Sequence, residues 1–281
     1  MIEQTIVAAL AAGFVATLVT VLIERYGGLV GGALGTIPTT IVPAAIGMAI
    51  AQNDADLMAS LSVVPTGMLV NAIFLSVWIY LPEKLSASNT NRGLISTTMA
   101  SLLVWTIVGM AAIYLIGDDS IQDFSSQEIA IIGVILTAAF GLTLGWNPRD
   151  TPSGSNKVSK SVLIARGTMA ATAIGISVWI AGLGYPLIAG LASVFPAIFL
   201  TSMVALWVSQ GSSVPRGAAA PMLLGGGSVG LYALVAMTTL VEYGLILGSI
   251  IAWFSAVLFW SLPAYAYLNW RRATIQGSVS E

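Results

Sequence analysis

Two residues that most enzyme and metal sites need are missing from the sequence. None of its 281 residues is cysteine and none is histidine. Without thiols the chain has neither disulfides nor thiolate ligands. Without imidazole it lacks the base of most catalytic triads and the ligand of most transition-metal sites. We therefore predict no catalytic residue, no metal site and no cofactor, and expect that the protein is not an enzyme.

Charged residues are also scarce. They make up 8% of the chain, against 57% hydrophobic residues, and the mean hydropathy is +0.92. This composition is typical of polytopic membrane proteins, and the net charge of −2 argues against a nucleic-acid partner. We expect a multi-pass protein of the cell membrane whose partners are the lipid bilayer and a small-molecule or ion substrate. A homo-oligomer is compatible with the sequence.

Long apolar runs dominate the chain. Nine of them can cross roughly 30 Å of hydrocarbon, namely 4–23, 27–52, 57–81, 93–116, 129–146, 162–182, 185–210, 217–241 and 245–268. With nine spans, all ten Lys and Arg residues fall on one side, which the positive-inside rule makes cytoplasmic. We predict an all-α membrane protein with about nine transmembrane helices, the N-terminus outside and the C-terminus in the cytoplasm. Arg166, a few residues into its span, can reach back to the cytoplasmic boundary, and a role at the inner gate is the less favoured alternative.

Two of these spans carry a proline near the middle. Pro38 and Pro196 each lie fourteen residues before a glutamine, Gln52 and Gln210. A proline inside a helix removes a backbone hydrogen bond and clashes with the preceding turn, so each should separate two half-helices. In lipid such a break is tolerated only beside protein or a polar cavity, which points to a binding site. The alternative is close helix packing, because glycine and proline are common in membrane helices.

The broken span belongs to a longer internal duplication. Pro65 and Pro221 follow in the next span of each copy, and 93–95 and 244–246 both read Gly-Leu-Ile. One span separates two sets of four, so the second set is inverted, as in many secondary transporters. The predicted domains are 1–116, the first four-helix repeat; 117–161, a connecting transmembrane helix and cytoplasmic linker; 162–272, the inverted second repeat; and 273–281, a C-terminal tail.

The inversion predicts where a solute would bind. The half-helices after Pro38 and Pro196 both begin at mid-membrane, where their free N–H groups and positive dipole ends would converge. Nearby hydroxyls either contact substrate or bond back to their own helices, and Asn71 makes an interhelical bond or a substrate contact. The predicted substrate-binding residues are Gly35, Thr36, Pro38, Thr39, Thr40, Thr66, Asn71, Ser193, Pro196, Thr201, Gly225 and Gly226.

One feature of the first broken span resembles a known family. A glycine pair followed by a proline, Gly31, Gly32 and Pro38, is similar to the sulfite exporter family of anion transporters. The likeness covers only these residues, and the second copy lacks the glycine run.

The favoured function is transport of a small solute, either an anion or a polar metabolite. The solute would bind at mid-membrane between the two broken helices and move by alternating access, either by facilitated transport or coupled to Na⁺. One alternative is a channel or facilitator for an anion or neutral solute. Another is a cation transporter that uses the carbonyl groups of unwound backbone. The absence of an acidic residue near mid-depth argues against proton coupling.

Overall fold

The computed structural model describes residues 2–26, 37–85, 91–118, 123–146 and 159–279. Within these ranges all regular secondary structure is helical, which confirms the all-α prediction. The helices are α1 Ile2–Tyr26, α2 Ile41–Ala51, α3 Asp54–Lys84, α4 Asn91–Ile116, α5 Ser126–Gly145, α6 Lys160–Gly182, α7 Pro186–Ser193, α8 Ala197–Gln210, α9 Ser213–Ala256 and α10 Leu262–Val279, with a π-helical turn Val257–Ser261 between the last two.

Seven helical stretches of the described chain are long and apolar enough to cross a membrane. The last of them, Ser213–Thr274, is 62 residues long and folds back on itself, so eight crossings are present by length and composition. The chain therefore has the helices of a multi-pass membrane protein. Helix α2 covers only about half of a bilayer core on its own, at roughly 1.5 Å per residue. Residues 27–36, which begin the second predicted span, lie outside the described residues.

The last long stretch reverses direction at Gly244. This glycine has φ 76° and ψ 175°, a conformation that residues with a Cβ rarely adopt. Across the turn, the Thr239 hydroxyl donates a 2.9 Å hydrogen bond to the Gly248 carbonyl. Farther along, the Trp260 indole donates a 2.7 Å bond to the Leu224 carbonyl. The two arms of α9 are therefore antiparallel, which agrees with separate predicted spans at 217–241 and 245–268.

Two helix pairs pack together most extensively. Helix α1 packs along α6, and α3 packs along the first arm of α9. Small residues allow the close approach: a Cβ at Gly13 would lie 2.9 Å from the Gly167 carbonyl oxygen, and one at Gly230 would lie 3.2 Å from Pro65 Cα. Close contact over small residues is the usual way in which membrane helices pack.

The outward faces of several helices are apolar and exposed. Phe14 on α1, Ile107 on α4 and Ile246 on the second arm of α9 are all more than half exposed. Exposed apolar surface on this scale marks a membrane or protein contact. In a chain with this many spanning helices, lipid is the natural cover for it.

Candidate substrate site

The second proline-containing span is described as two consecutive helices. Helix α7 ends at Ser193 and α8 begins at Ala197, with Pro196 as the residue before α8. Proline suits the start of a helix because its ring fixes φ and it has no N–H to leave unpaired. No side chain caps the N-terminus of α8. Its first-turn N–H groups are thus not satisfied by a capping side chain.

Of the other proline-containing span, only the part from residue 37 onward is described. Residues 37–40 are irregular, and α2 begins at Ile41 with Thr40 as its N-cap residue. The Thr40 side chain makes no capping hydrogen bond, so the N-terminus of α2 resembles that of α8. The predicted site residues Gly35 and Thr36, and the glycine pair Gly31 and Gly32, lie outside the described residues.

A cavity of about 150 Å³ lies between the segment 37–41 and the break after Ser193. A cavity needs about 10–15 Å³ of volume, measured in the same way, to hold one water molecule. The cavity therefore has room for on the order of ten water-sized groups. Its volume suits a small solute. Besides the two breaks, α1, α3, α6 and α9 contribute to its lining, which consists of Ala16, Val19, Thr20, Ile37, Thr39, Thr40, Ile41, Met68, Asn71, Arg166, Ser193, Val194, Phe195, Pro196, Ile198, Phe199, Gly225, Gly226, Ser228 and Val229.

Seven of the twelve predicted substrate-binding residues line this cavity, namely Thr39, Thr40, Asn71, Ser193, Pro196, Gly225 and Gly226. Pro38, Thr66 and Thr201 do not. The Thr201 hydroxyl bonds back to the Ala197 carbonyl at 2.8 Å, as hydroxyls within helices often do. The backbone of Thr66 lies against α5, where a Cβ at Gly133 would come within 2.8 Å of its nitrogen.

Asn71 connects the cavity wall to the break in the seventh predicted span. Its side-chain amide donates a 2.8 Å hydrogen bond to the carbonyl of Val194, and its oxygen accepts a 2.8 Å bond from the indole of Trp105. Val194 lies between α7 and α8, where a carbonyl has lost its helical partner. Asn71 therefore makes the interhelical bond that was one of its two predicted roles. It is 3% exposed and also lines the cavity.

Arg166 is the functional candidate that sequence reasoning missed. The prediction that it reaches back to the cytoplasmic boundary is wrong, because its side chain is buried and lines the cavity. One terminal nitrogen donates a 2.7 Å bond to the Thr20 hydroxyl, and the other a 2.6 Å bond to the Ser202 hydroxyl. Its Nε is buried without a hydrogen-bond partner. Nothing local in the sequence indicates these contacts, which bridge three different helices.

The described lining of the cavity is electrostatically positive. Arg166 is its one cationic side chain, and no Asp or Glu is among the lining residues. The starts of α2 and α8, which also line it, add the partial positive charge of helix N-termini. The cavity therefore favours an anion or the electron-rich end of a polar solute. Within the described residues no group of three or more acidic, Cys or His side chains could hold a metal ion.

Part of the cavity lining is apolar. A Cβ at Gly226 would lie 2.9 Å from both the Met68 methyl carbon and the tip of the Phe199 ring, so these three residues meet there. Phe195 packs edge-on against Trp105, with ring centroids 5.3 Å apart. The site therefore combines a cationic group with an aromatic and thioether wall.

Comparison with known proteins adds no relative. No family model, no curated protein and no solved structure matches this chain.

Proposed function

We propose that the protein is an integral membrane transporter for a small solute, an anion or a polar metabolite, bound between the two proline breaks. The main observation in support of this proposal is the cavity, because its lining includes residues of both proline-containing spans, among them Thr40 and Pro196. Secondary transporters typically bind their substrates near the bilayer midplane, where interrupted helices present free backbone groups. A packed break with no space beside it would have favoured a purely structural role.

Contacts between the two halves of the chain support an inverted repeat. In the predicted duplication, α1 corresponds to α6 and α3 to the first arm of α9, and these corresponding helices pack on each other. Corresponding elements meet in this way at a pseudo-two-fold axis. Trp105 and Trp260 add a second parallel, because each lies on the last span of its copy and donates to the third span of that copy. Movement of one half against the other would expose the cavity to each side in turn.

Contacts between helix ends support the predicted topology. Arg216 pairs with Glu83, and Arg271 donates a 2.8 Å bond to the Trp146 carbonyl. All four residues belong to the predicted cytoplasmic side. At the predicted outer side, Ser60 donates a 2.9 Å bond to the Pro186 carbonyl. Each of these contacts joins ends that nine spans with an external N-terminus place on the same face.

The charge of the cavity favours an anion or polar solute over a cation. A cation would be placed beside the guanidinium of Arg166, and no described acidic side chain in the lining compensates for that repulsion. A cation transporter that uses backbone carbonyls therefore has less support than an anion or polar-solute transporter or a channel. A channel built on the same half-helices differs from a transporter in its kinetics, because its flux neither saturates nor shows counterflow.

The test is flux through purified full-length protein in liposomes. Radiolabelled acetate, butyrate, nitrate, glycine and glycerol are assayed for saturable uptake and for counterflow, in the native chain and in a Ser193→Cys variant treated with a maleimide. Because the chain has no cysteine of its own, the label is confined to the cavity. Ala45→Cys, in the sealed core, is the matched control. We expect counterflow that the label blocks in Ser193→Cys alone.

Two results would count against the proposal. Flux that neither saturates nor shows counterflow would identify a channel. Flux that continues unchanged after Ser193→Cys has been labelled would show that solute does not pass through this cavity.

A further inference from the structure

Arg166 is held firmly by neutral groups. The two hydroxyls that accept its hydrogen bonds give their own protons to backbone carbonyls: Thr20 donates to Ala16 at 2.7 Å, and Ser202 donates to Ile198 at 2.7 Å. Each hydroxyl oxygen therefore faces the guanidinium as a fixed acceptor. The cation is oriented by these contacts, but its charge is not neutralised by them.

A buried charge without a counter-charge is unfavourable, and here a counter-charge is absent from the described surroundings. Arg166 is 9% exposed, its Nε has no partner, and no acidic residue lines the cavity with it. Charges taken out of water need an opposite charge and filled hydrogen bonds. A bound anion supplies both, and a carboxylate matches the planar donor fork of a guanidinium particularly well.

The charges of the cavity favour a singly charged anion. Arg166 is the one cationic side chain in the described lining, and each of the two helix N-termini adds at most about half a positive charge. The guanidinium alone matches a monoanion, whereas the second charge of a dianion would depend on both helix N-termini in a lining that is otherwise largely apolar.

The rest of the cavity indicates an organic anion. Met68 and Phe199 meet over Gly226, and Phe195 and Val229 also line the space. An inorganic oxyanion would leave this apolar wall without a partner, whereas a short hydrocarbon tail would bury it. The volume, with room for on the order of ten water-sized groups, restricts the tail to a few carbons.

From these observations we infer that the solute is a small monocarboxylate, with its carboxylate bound by Arg166 and its apolar part against Met68 and Phe199. This inference rests on the proposed function, since it names the substrate class of the same cavity. The binding step itself is testable without transport.

The experiment measures protection of a cavity cysteine. Val229→Cys protein in nanodiscs, which leave both faces open, is labelled with a maleimide in the presence of sodium butyrate, butyramide, sodium succinate or sodium nitrate. We expect butyrate to slow labelling in a saturable manner. The neutral isostere butyramide, the dianion succinate and the inorganic anion nitrate should protect at least about tenfold less well.

Arginine variants in the same background test the residue. Arg166→Gln should weaken butyrate protection by at least about tenfold, and Arg166→Lys should give an intermediate value because an ammonium group lacks the bidentate fork. Arg271→Gln is the matched control, because Arg271 is equally buried but bonds to Trp146 outside the cavity. It should leave protection unchanged. If Arg166→Gln does not yield monodisperse protein, Arg166→Lys and the four ligands decide the matter.

Three results would overturn the inference: equal protection by butyrate and butyramide, stronger protection by nitrate or succinate, or full protection in Arg166→Gln. Failure of transport is recognised separately. Protection by butyrate without any butyrate counterflow would retain the binding site and contradict transport. Counterflow of glycerol or glycine without protection by butyrate would retain transport and contradict the monocarboxylate.

Discussion

Asn71 of α3 donates its side-chain hydrogen bond to the carbonyl of Val194, 123 residues away in the break between α7 and α8. The first half of the chain thereby satisfies a backbone group that the proline break in the second half sets free. The same amide accepts a bond from Trp105 of α4. A single side chain thus ties the break to two helices of the other predicted copy, next to the cavity.

Replacement of Asn71 by leucine should destabilise the protein. Asn71→Leu leaves the Val194 carbonyl and the Trp105 indole without partners, and each unsatisfied buried group costs about 1–3 kcal/mol. Thermal unfolding in detergent measures the effect. Thr106→Ala is the control, because it removes an exposed bond within one helix. Equal melting temperatures for the two variants would show that the Asn71 bonds do not stabilise the break.

Replacement of Gly244 by alanine should weaken the α9 hairpin through backbone strain alone. A Cβ at this position would meet no atom within 4 Å, but φ is +76°. Such a conformation costs of order 1–3 kcal/mol for a residue with a Cβ. Gly145→Ala is the control, since its nearest neighbour would lie at an ordinary 3.5 Å. A thermal unfolding temperature for Gly244→Ala as high as for Gly145→Ala would contradict a glycine-dependent turn.

Replacement of Gly226 by alanine should narrow the cavity without unfolding the protein. The new methyl group would press on the ends of Met68 and Phe199, which are flexible enough to move. The methyl group would take up space beside Met68 and Phe199, where the tail of a monocarboxylate is inferred to bind. Protection of Val229→Cys by butyrate should therefore fall by at least about tenfold, while protection by acetate should change less. An equal loss for both acids would show that Gly226 does not border the tail.

The interruption at Pro196 was predictable from the sequence because proline acts locally. Its missing N–H and its ring disfavour a helix interior, and α8 begins one residue later. Proline does not always end a helix, since Pro65 and Pro221 lie inside α3 and α9. The reversal between 241 and 245 was predictable for a similar reason, since a polar and glycine-containing connector separates two apolar runs there. Length and composition likewise identified the helices able to cross a membrane.

The role of Arg166 was not predictable, because its partners are distant in sequence. Thr20 is 146 residues away and Ser202 is 36 residues away, so depth along its own span indicated only that it could reach the interface. The hydroxyls posed the same difficulty. Ser193 and Thr201 both bond back to carbonyls of their own helices, but only Ser193 lines the cavity, as Thr40 does, and tertiary packing decides which hydroxyls do so.

We propose that the segments around Pro38 and Pro196 border one passage for the solute. This proposal is tested most directly by measuring whether Thr40→Cys can be labelled from each side of the membrane. Oriented vesicles carrying this single cysteine are treated with a membrane-impermeant maleimide added either outside or inside, with Ala45→Cys, which is fully buried, as the control. We expect Thr40→Cys to be labelled from both sides and Ala45→Cys from neither. Labelling of Thr40→Cys from one side only, or from neither, would contradict it.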